Sequence, residues 1–150
     1  MASNEKIVIT VQTVISAPIE SVWKLWISPD DIKNWNTASD DWHTTHAVND
    51  LRIGGKFNYR MEAKDGSFGF DFWGIYNEII LHKRLLATLG DGRIMEIRFI
   101  SQNDSTEITE SFDAEEENPV EFQKAGWQAI LSNFKKYVEH KYLINKLINY

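Results

Sequence analysis

Near the end of the chain, Trp127, Ile130, Leu131, Phe134 and Val138 fall at i, i+3, i+4, i+7 and i+11. That spacing draws one continuous apolar stripe along a helix. The stripe must be buried against something, and what comes before it is a run of strands. Consecutive hairpins imply an antiparallel meander, and such a sheet leaves one face to be covered. The long helix should therefore lie across the sheet, which is an α+β arrangement. No other feature restricts the fold as much.

The strands carry their own signals. Phe57, Tyr59 and Met61 alternate with Lys56, Asn58, Arg60 and Glu62, as in a half-buried strand. Asp65-Gly66 marks a hairpin. The return strand carries Phe68, Phe70, Phe72 and Tyr76 on one parity and Trp73, Ile75 and Ile79 on the other. Further strands are predicted over Arg84–Leu89, Arg93–Ser101 and Ser105–Phe112, with turns at Gly90-Asp91-Gly92 and Asn103-Asp104. The paired Gly54-Gly55 suits positive backbone angles or a bulge at the start of the meander.

Ahead of the meander, Lys6–Ile15 is rich in β-branched residues and reads as a strand. Ser16 offers a helix cap and Pro18 a first helical turn, with Ile19, Val22, Trp23 and Trp26 following at helical spacing. A second helix starts at once. Ser28 is in the cap position, Pro29 in the first turn, and Ile32 and Trp35 give one apolar face. Two short helices joined so tightly make a bent unit. The stretch Thr37–Asp50 is polar and irregular, and reads as a loop.

Composition excludes several function classes. The net charge is −6 with no basic block, which argues against nucleic acid and against a basic membrane-binding surface. There are no cysteines, hence no disulfide, zinc-thiolate site or thiol nucleophile. No signal peptide or membrane span is evident, so a cytoplasmic location is the expectation. No catalytic or phosphate-binding motif occurs and no cofactor is implied, so catalysis is not the expectation. The acidic runs Asp40-Asp41 and Glu115-Glu116-Glu117 look solvated rather than tuned for proton transfer.

The order strand, helix pair, meander, long helix is the helix-grip arrangement. Ala17-Pro18, Val22-Trp23, Trp26, Pro29-Asp30, Ile32 and Trp35 resemble the opening of the START-like (Bet v 1-like) superfamily. Asp50–Phe57, Gly74–Ile79 and Gly126-Trp127 followed by Leu131 are also similar. The resemblance covers roughly residues 6–140, one domain, with 141–150 as a helical extension. Within the superfamily, the chain most resembles the family named for the activator of Hsp90 ATPase homologue 1. The resemblance implies a curved antiparallel sheet gripping the long helix around a cavity. Relatives hold lipids, polyketides or other apolar molecules, and some are cyclases or hydrolases. The namesake of the family stimulates a chaperone ATPase, but it carries a second domain that this sequence does not show. A small-molecule binding protein is thus the leading expectation. A chaperone-contacting module is the alternative, and a polyketide cyclase or hydrolase ranks third.

On this fold the inward parity should present Phe57, Tyr59, Phe70, Phe72, Met95, Phe99, Trp127 and Leu131 to the cavity, with Trp35 and Tyr76 beside them. Tyr59, Tyr76, Glu78 and Arg98 are candidate polar handles, although Glu78 reads more naturally as a rim ion pair, since a buried charge needs a partner. Trp42-His43 and His46 would sit in the loop over the cavity mouth. A metal there would need a third ligand near Asp40, Asp41 or Asp50, and none is expected. The final KYLINKLINY carries Leu143, Ile144, Leu147 and Ile148. A straight helix from Pro119 to Asn149 would run about 45 Å, longer than a small domain. Its end should fold back on the domain, or else overhang and mediate a homodimer.

Overall fold

The structure is a computed structural model that describes residues 6–148. Ten elements follow in order. They are β1 (Val8–Ile15), α1 (Ile19–Ile27), α2 (Pro29–Trp35), β2 (Trp42–Asn49), β3 (Lys56–Ala63), β4 (Gly69–Ile80), β5 (Arg84–Leu89), β6 (Ile94–Gln102), β7 (Ser105–Asp113) and α3 (Val120–Ile148). The strands form one antiparallel sheet in the order β1-β7-β6-β5-β4-β3-β2, curled into a half-barrel with α3 across its concave side. This is the predicted α+β helix-grip arrangement.

Alternation decides which side chains face α3. On β7, Thr106, Ile108, Glu110 and Phe112 are buried while their neighbours are half exposed. On β5 the buried set is Leu85, Ala87 and Leu89, and on β6 it is Met95, Ile97 and Phe99. The stripe on α3 answers them with Leu131, Phe134 and Val138, each at most 1% exposed. Polar groups then fix the helix in place. Lys135 donates to the Val14 carbonyl (2.6 Å), Asn133 to the Trp35 carbonyl (2.9 Å), and Lys141 and Tyr137 both donate to Asp31.

Four sequence expectations need correction. Thr37–Asp50 is not a loop throughout: residues 42–49 form β2, paired to β3 at the edge of the sheet. A register shift between Thr44 and His46 breaks its alternation, and Thr44 is its only fully buried side chain, so the period-two signal is weak. Trp42 accordingly stands on a strand rather than in a loop, and packs against Phe68 and Phe70, at 6.1 and 6.0 Å between ring centroids. Ser16 does not cap α1. Pro18 occupies that position, and the Ser16 amide donates to Glu139 on α3 (2.8 Å). The last helix does not fold back within the described residues. It is continuous to Ile148 and leaves Leu143, Leu147 and Ile148 more than half exposed. Residues 149 and 150 lie outside the described part.

Candidate functional site

The interior between sheet and helix divides into two parts. Beneath α1 and α2 it is filled. Trp26, Trp35 and Phe134 meet at 4.7–4.9 Å between centroids, and Phe99 closes on Trp23 and Trp26 at 5.2 and 5.8 Å. The Trp35 indole is held by a hydrogen bond to the Leu25 carbonyl (3.0 Å). Towards β3 and β4 the same layer opens into a pocket of about 500 Å³.

Rings form most of its wall. Phe57 touches Tyr59, Phe72 and Tyr76 at 5.3, 5.7 and 5.4 Å. From the helix side, Trp127 meets Phe72 edge-on at 5.6 Å and stacks on Phe112 at 3.7 Å. Gly74 makes room for this arrangement. A Cβ there would sit 2.8 Å from the Phe57 ring and 2.9 Å from the Thr88 carbonyl. The exposed lining residues mark the opening, which lies between Phe70–Trp73 of β4 and the Gly90–Arg93 turn. Charges at that mouth are already paired, Arg93 with Asp91 (2.7 Å) and Asp71 with Arg60 (3.5 Å).

Of the ten residues predicted for the cavity, Trp35, Phe57, Tyr59, Phe70, Phe72, Tyr76, Met95 and Trp127 line the pocket. Phe99 and Leu131 do not. Both point inward and are buried, but Phe99 is capped by the tryptophans of α1 and Leu131 belongs to the packed stripe. Inward parity places a residue inside the sheet without deciding whether a ring or empty space lies opposite. Among the polar handles, Tyr76 donates to Asn49 (2.6 Å), and Asn49 in turn donates to the Ile27 carbonyl. Glu78 and Arg98 stand on the outer surface in a ladder of ion pairs with Arg84 and Glu96. His43 and His46 lie on β2, and no group of three metal-ligating side chains occurs among the described residues.

The residue that sequence reasoning missed is Glu110. It lines the pocket and is 7% exposed. Its cross-strand partners are Val11 and Ile97, and Ile108 and Phe112 flank it on its own strand face. Its carboxyl makes no hydrogen bond or ion pair among the described residues. Burial alone pushes it up to about 8. Tyr59 is similar. Its hydroxyl has no hydrogen-bond partner among the described residues, and burial holds the phenol well above its ordinary value, with the charges of Tyr76 and Glu110 adding to the effect. The sequence did hold the signal, because Glu110 shares parity with Ile108 and Phe112.

With the geometry in place, comparison with known proteins identifies the lineage. The family model described as activator of Hsp90 ATPase homolog 1-like protein matches residues 16–139. The chain belongs to this AHSA1-like family. It thereby falls in the Bet v 1-like superfamily. The solution structure of an AHSA1-like protein from Aeromonas hydrophila is 45% identical, covering 91% of this chain and 95% of that one, with a TM-score of 0.85. Chr148 from Cytophaga hutchinsonii is 49% identical over 89% of this chain and 92% of its own, with a TM-score of 0.77. NE0264 from Nitrosomonas europaea, at 19% identity and a TM-score of 0.75, covers 91% and 97% and shares the fold alone. No curated protein matches the chain. Among the described residues no helix is long and apolar enough to cross a membrane.

Proposed function

We propose that this AHSA1-like domain binds an apolar, ring-containing small molecule in the space between its sheet and its last helix. The observation that carries the reading is the pocket of about 500 Å³ walled by Phe57, Tyr59, Phe72, Tyr76 and Trp127. That size and wall chemistry match the usual small-molecule site, mostly apolar with few polar groups. Binding would draw on burial, at roughly 25 cal/mol per Å² of apolar surface removed from water, less the cost of ordering. Access runs past Phe70 and the Gly90–Arg93 turn.

The test is a thermal-shift titration with ethylnaphthalene on the intact protein and on Ile130→Trp, which would fill the pocket from the α3 side. The reading expects a concentration-dependent rise in melting temperature in the parent and none in the filled variant. No shift in the parent, or the same shift in both, contradicts it.

A second reading has one specific support. The family's name refers to a chaperone ATPase, and Trp42, Phe68 and Phe70 form an aromatic patch on which Phe68 is 63% exposed. A chaperone-contacting module would require Phe68→Ser to abolish binding to purified Hsp90 without changing the ethylnaphthalene shift.

A further inference from the structure

A carboxyl set in an apolar wall without a protein partner is costly, and only what enters the pocket beside it can satisfy it. Glu110 is such a group. Aliphatic side chains flank it on β1, β6 and β7, and the residues of α3 that line the pocket, Trp127 and Ile130, carry no charge. It faces the same open volume as the unpartnered Tyr59 hydroxyl. The remaining polar groups of the wall are engaged elsewhere. Asn36 is bonded to Thr44, Tyr76 to Asn49, Asp71 to Arg60, and Arg93 to Asp91.

We infer that Glu110 is the polar anchor of the pocket and, with Tyr59, holds the oxygen of an uncharged, carbonyl-bearing ring compound. This rests on the small-molecule reading above and names the ligand class of the same site.

Hydrogen-bond arithmetic selects that class. A carbonyl oxygen has two lone pairs and no donor. The interior offers two hydroxyl donors, the phenol of Tyr59 and the uncharged acid of Glu110, whose burial keeps it mostly protonated at neutral pH. An apolar site that keeps a carboxylic acid neutral beside a tyrosine is a known way to bind a carbonyl or enolate oxygen. A carboxylate ligand would meet no free cation, since the Arg93 guanidinium at the mouth is already paired. An ammonium ligand would bring three donors into a space with one carboxyl and one phenol as acceptors, and a buried ion pair is favourable only when its other hydrogen bonds are met. The other titratable groups around the pocket are Tyr59 on β3, Tyr76 and Asp71 on β4, and Asp91 and Arg93 in the β5–β6 turn, and burial remains the one cause of the shift at Glu110.

Calorimetric titration with four naphthalenes of similar size tests this: acetonaphthone, ethylnaphthalene, naphthoate and naphthylmethylammonium, each from about pH 6 to about pH 10. Acetonaphthone should bind about tenfold more tightly than ethylnaphthalene at the acid end, the worth of two modest net hydrogen bonds. That advantage should shrink towards the share of Tyr59 as the pH rises through about 8 and Glu110 ionises. Glu110→Leu should cut the advantage, at every pH, to the smaller share contributed by Tyr59, while keeping ethylnaphthalene binding. Glu110→Gln, which still has an N–H to donate, should keep the advantage and lose its pH dependence. Preference for naphthylmethylammonium or naphthoate, or a carbonyl advantage undiminished in Glu110→Leu, overturns the anchor alone. Failure of ethylnaphthalene to bind the parent protein overturns the pocket reading and the anchor with it. In the ligand-free protein, NMR titration of the Glu110 carboxyl carbon should show a midpoint near 8, and an ordinary carboxylate midpoint overturns the anchor even if ethylnaphthalene binds.

Discussion

The two ends of the space beneath the last helix are built from the same residue types and reach opposite outcomes. At the helix-pair end, Trp26, Trp35, Phe99 and Phe134 interlock at ring separations below 6 Å, and only Trp26 and Trp35 of these border the pocket. At the other end, Phe57, Tyr59, Phe72 and Trp127 stand at similar separations around empty volume. The difference comes from what lies opposite. The first set has α1 and α2 pressing tryptophans against the sheet. The second has Trp127 and Ile130 of α3 above it, with Trp26 and Trp35 bordering it. One end contributes stability and the other space, and substitutions should separate the two.

The largest effect is expected from Phe134→Ala. The side chain is fully buried between two tryptophans, so its loss should cost about 3–5 kcal/mol in chemical denaturation. Ethylnaphthalene binding by the folded fraction should survive. Loss of binding at unchanged stability would break the division between the two ends.

Glu110→Gln comes next, and its effect should depend on pH. The folded carboxyl titrates near 8 and the unfolded one near 4.5, so the native state holds the proton over that interval. Stability contributed by this group therefore falls as pH rises from about 4.5 to about 8 and stays low above. The glutamine variant should overtake the parent across that window, by on the order of 3 kcal/mol once the cost of a buried amide is subtracted. Urea denaturation of both proteins at the two pH extremes measures this as a difference, which cancels the titration of the other carboxylates. A pH-independent gap would contradict it.

Phe72→Ala should be milder, about 1–2 kcal/mol, because the ring is only partly buried and faces existing space. It should also enlarge the pocket, shifting the probe preference towards bulkier naphthalenes. A loss as large as that of Phe134→Ala would mean that the open end is packed after all. Tyr59→Phe should be the smallest, within about 0.5 kcal/mol, since the hydroxyl it removes has no partner in the ligand-free protein.

Much of this was legible in the amino-acid sequence. The stripe ending at Val138 and the hairpin signals at Asp65-Gly66 and Gly90-Asp91-Gly92 give α3, its sheet and their order, because periodicity is set by local geometry. The register shift at Thr44–His46 concealed β2. Whether Phe99 and Leu131 meet a ring or a void depends on how far α1 reaches, which no spacing within β6 or α3 encodes. Glu110 was missed, although it alternates in phase with Ile108 and Phe112, because a carboxylate in a strand of threonines and serines reads as solvent-facing until its neighbours Val11 and Ile97 are known. The fate of Leu143–Ile148 was likewise hidden, since an apolar tail can fold back or project.

The most direct test of the central claim is methionine-methyl NMR during an ethylnaphthalene titration, because Met61 and Met95 line the pocket from β3 and β6. Both methyl resonances should move saturably towards ring-shifted positions at a common affinity. Resonances that stay fixed while the probe is added to its solubility limit would contradict a vacant, ligand-accepting space beneath the last helix.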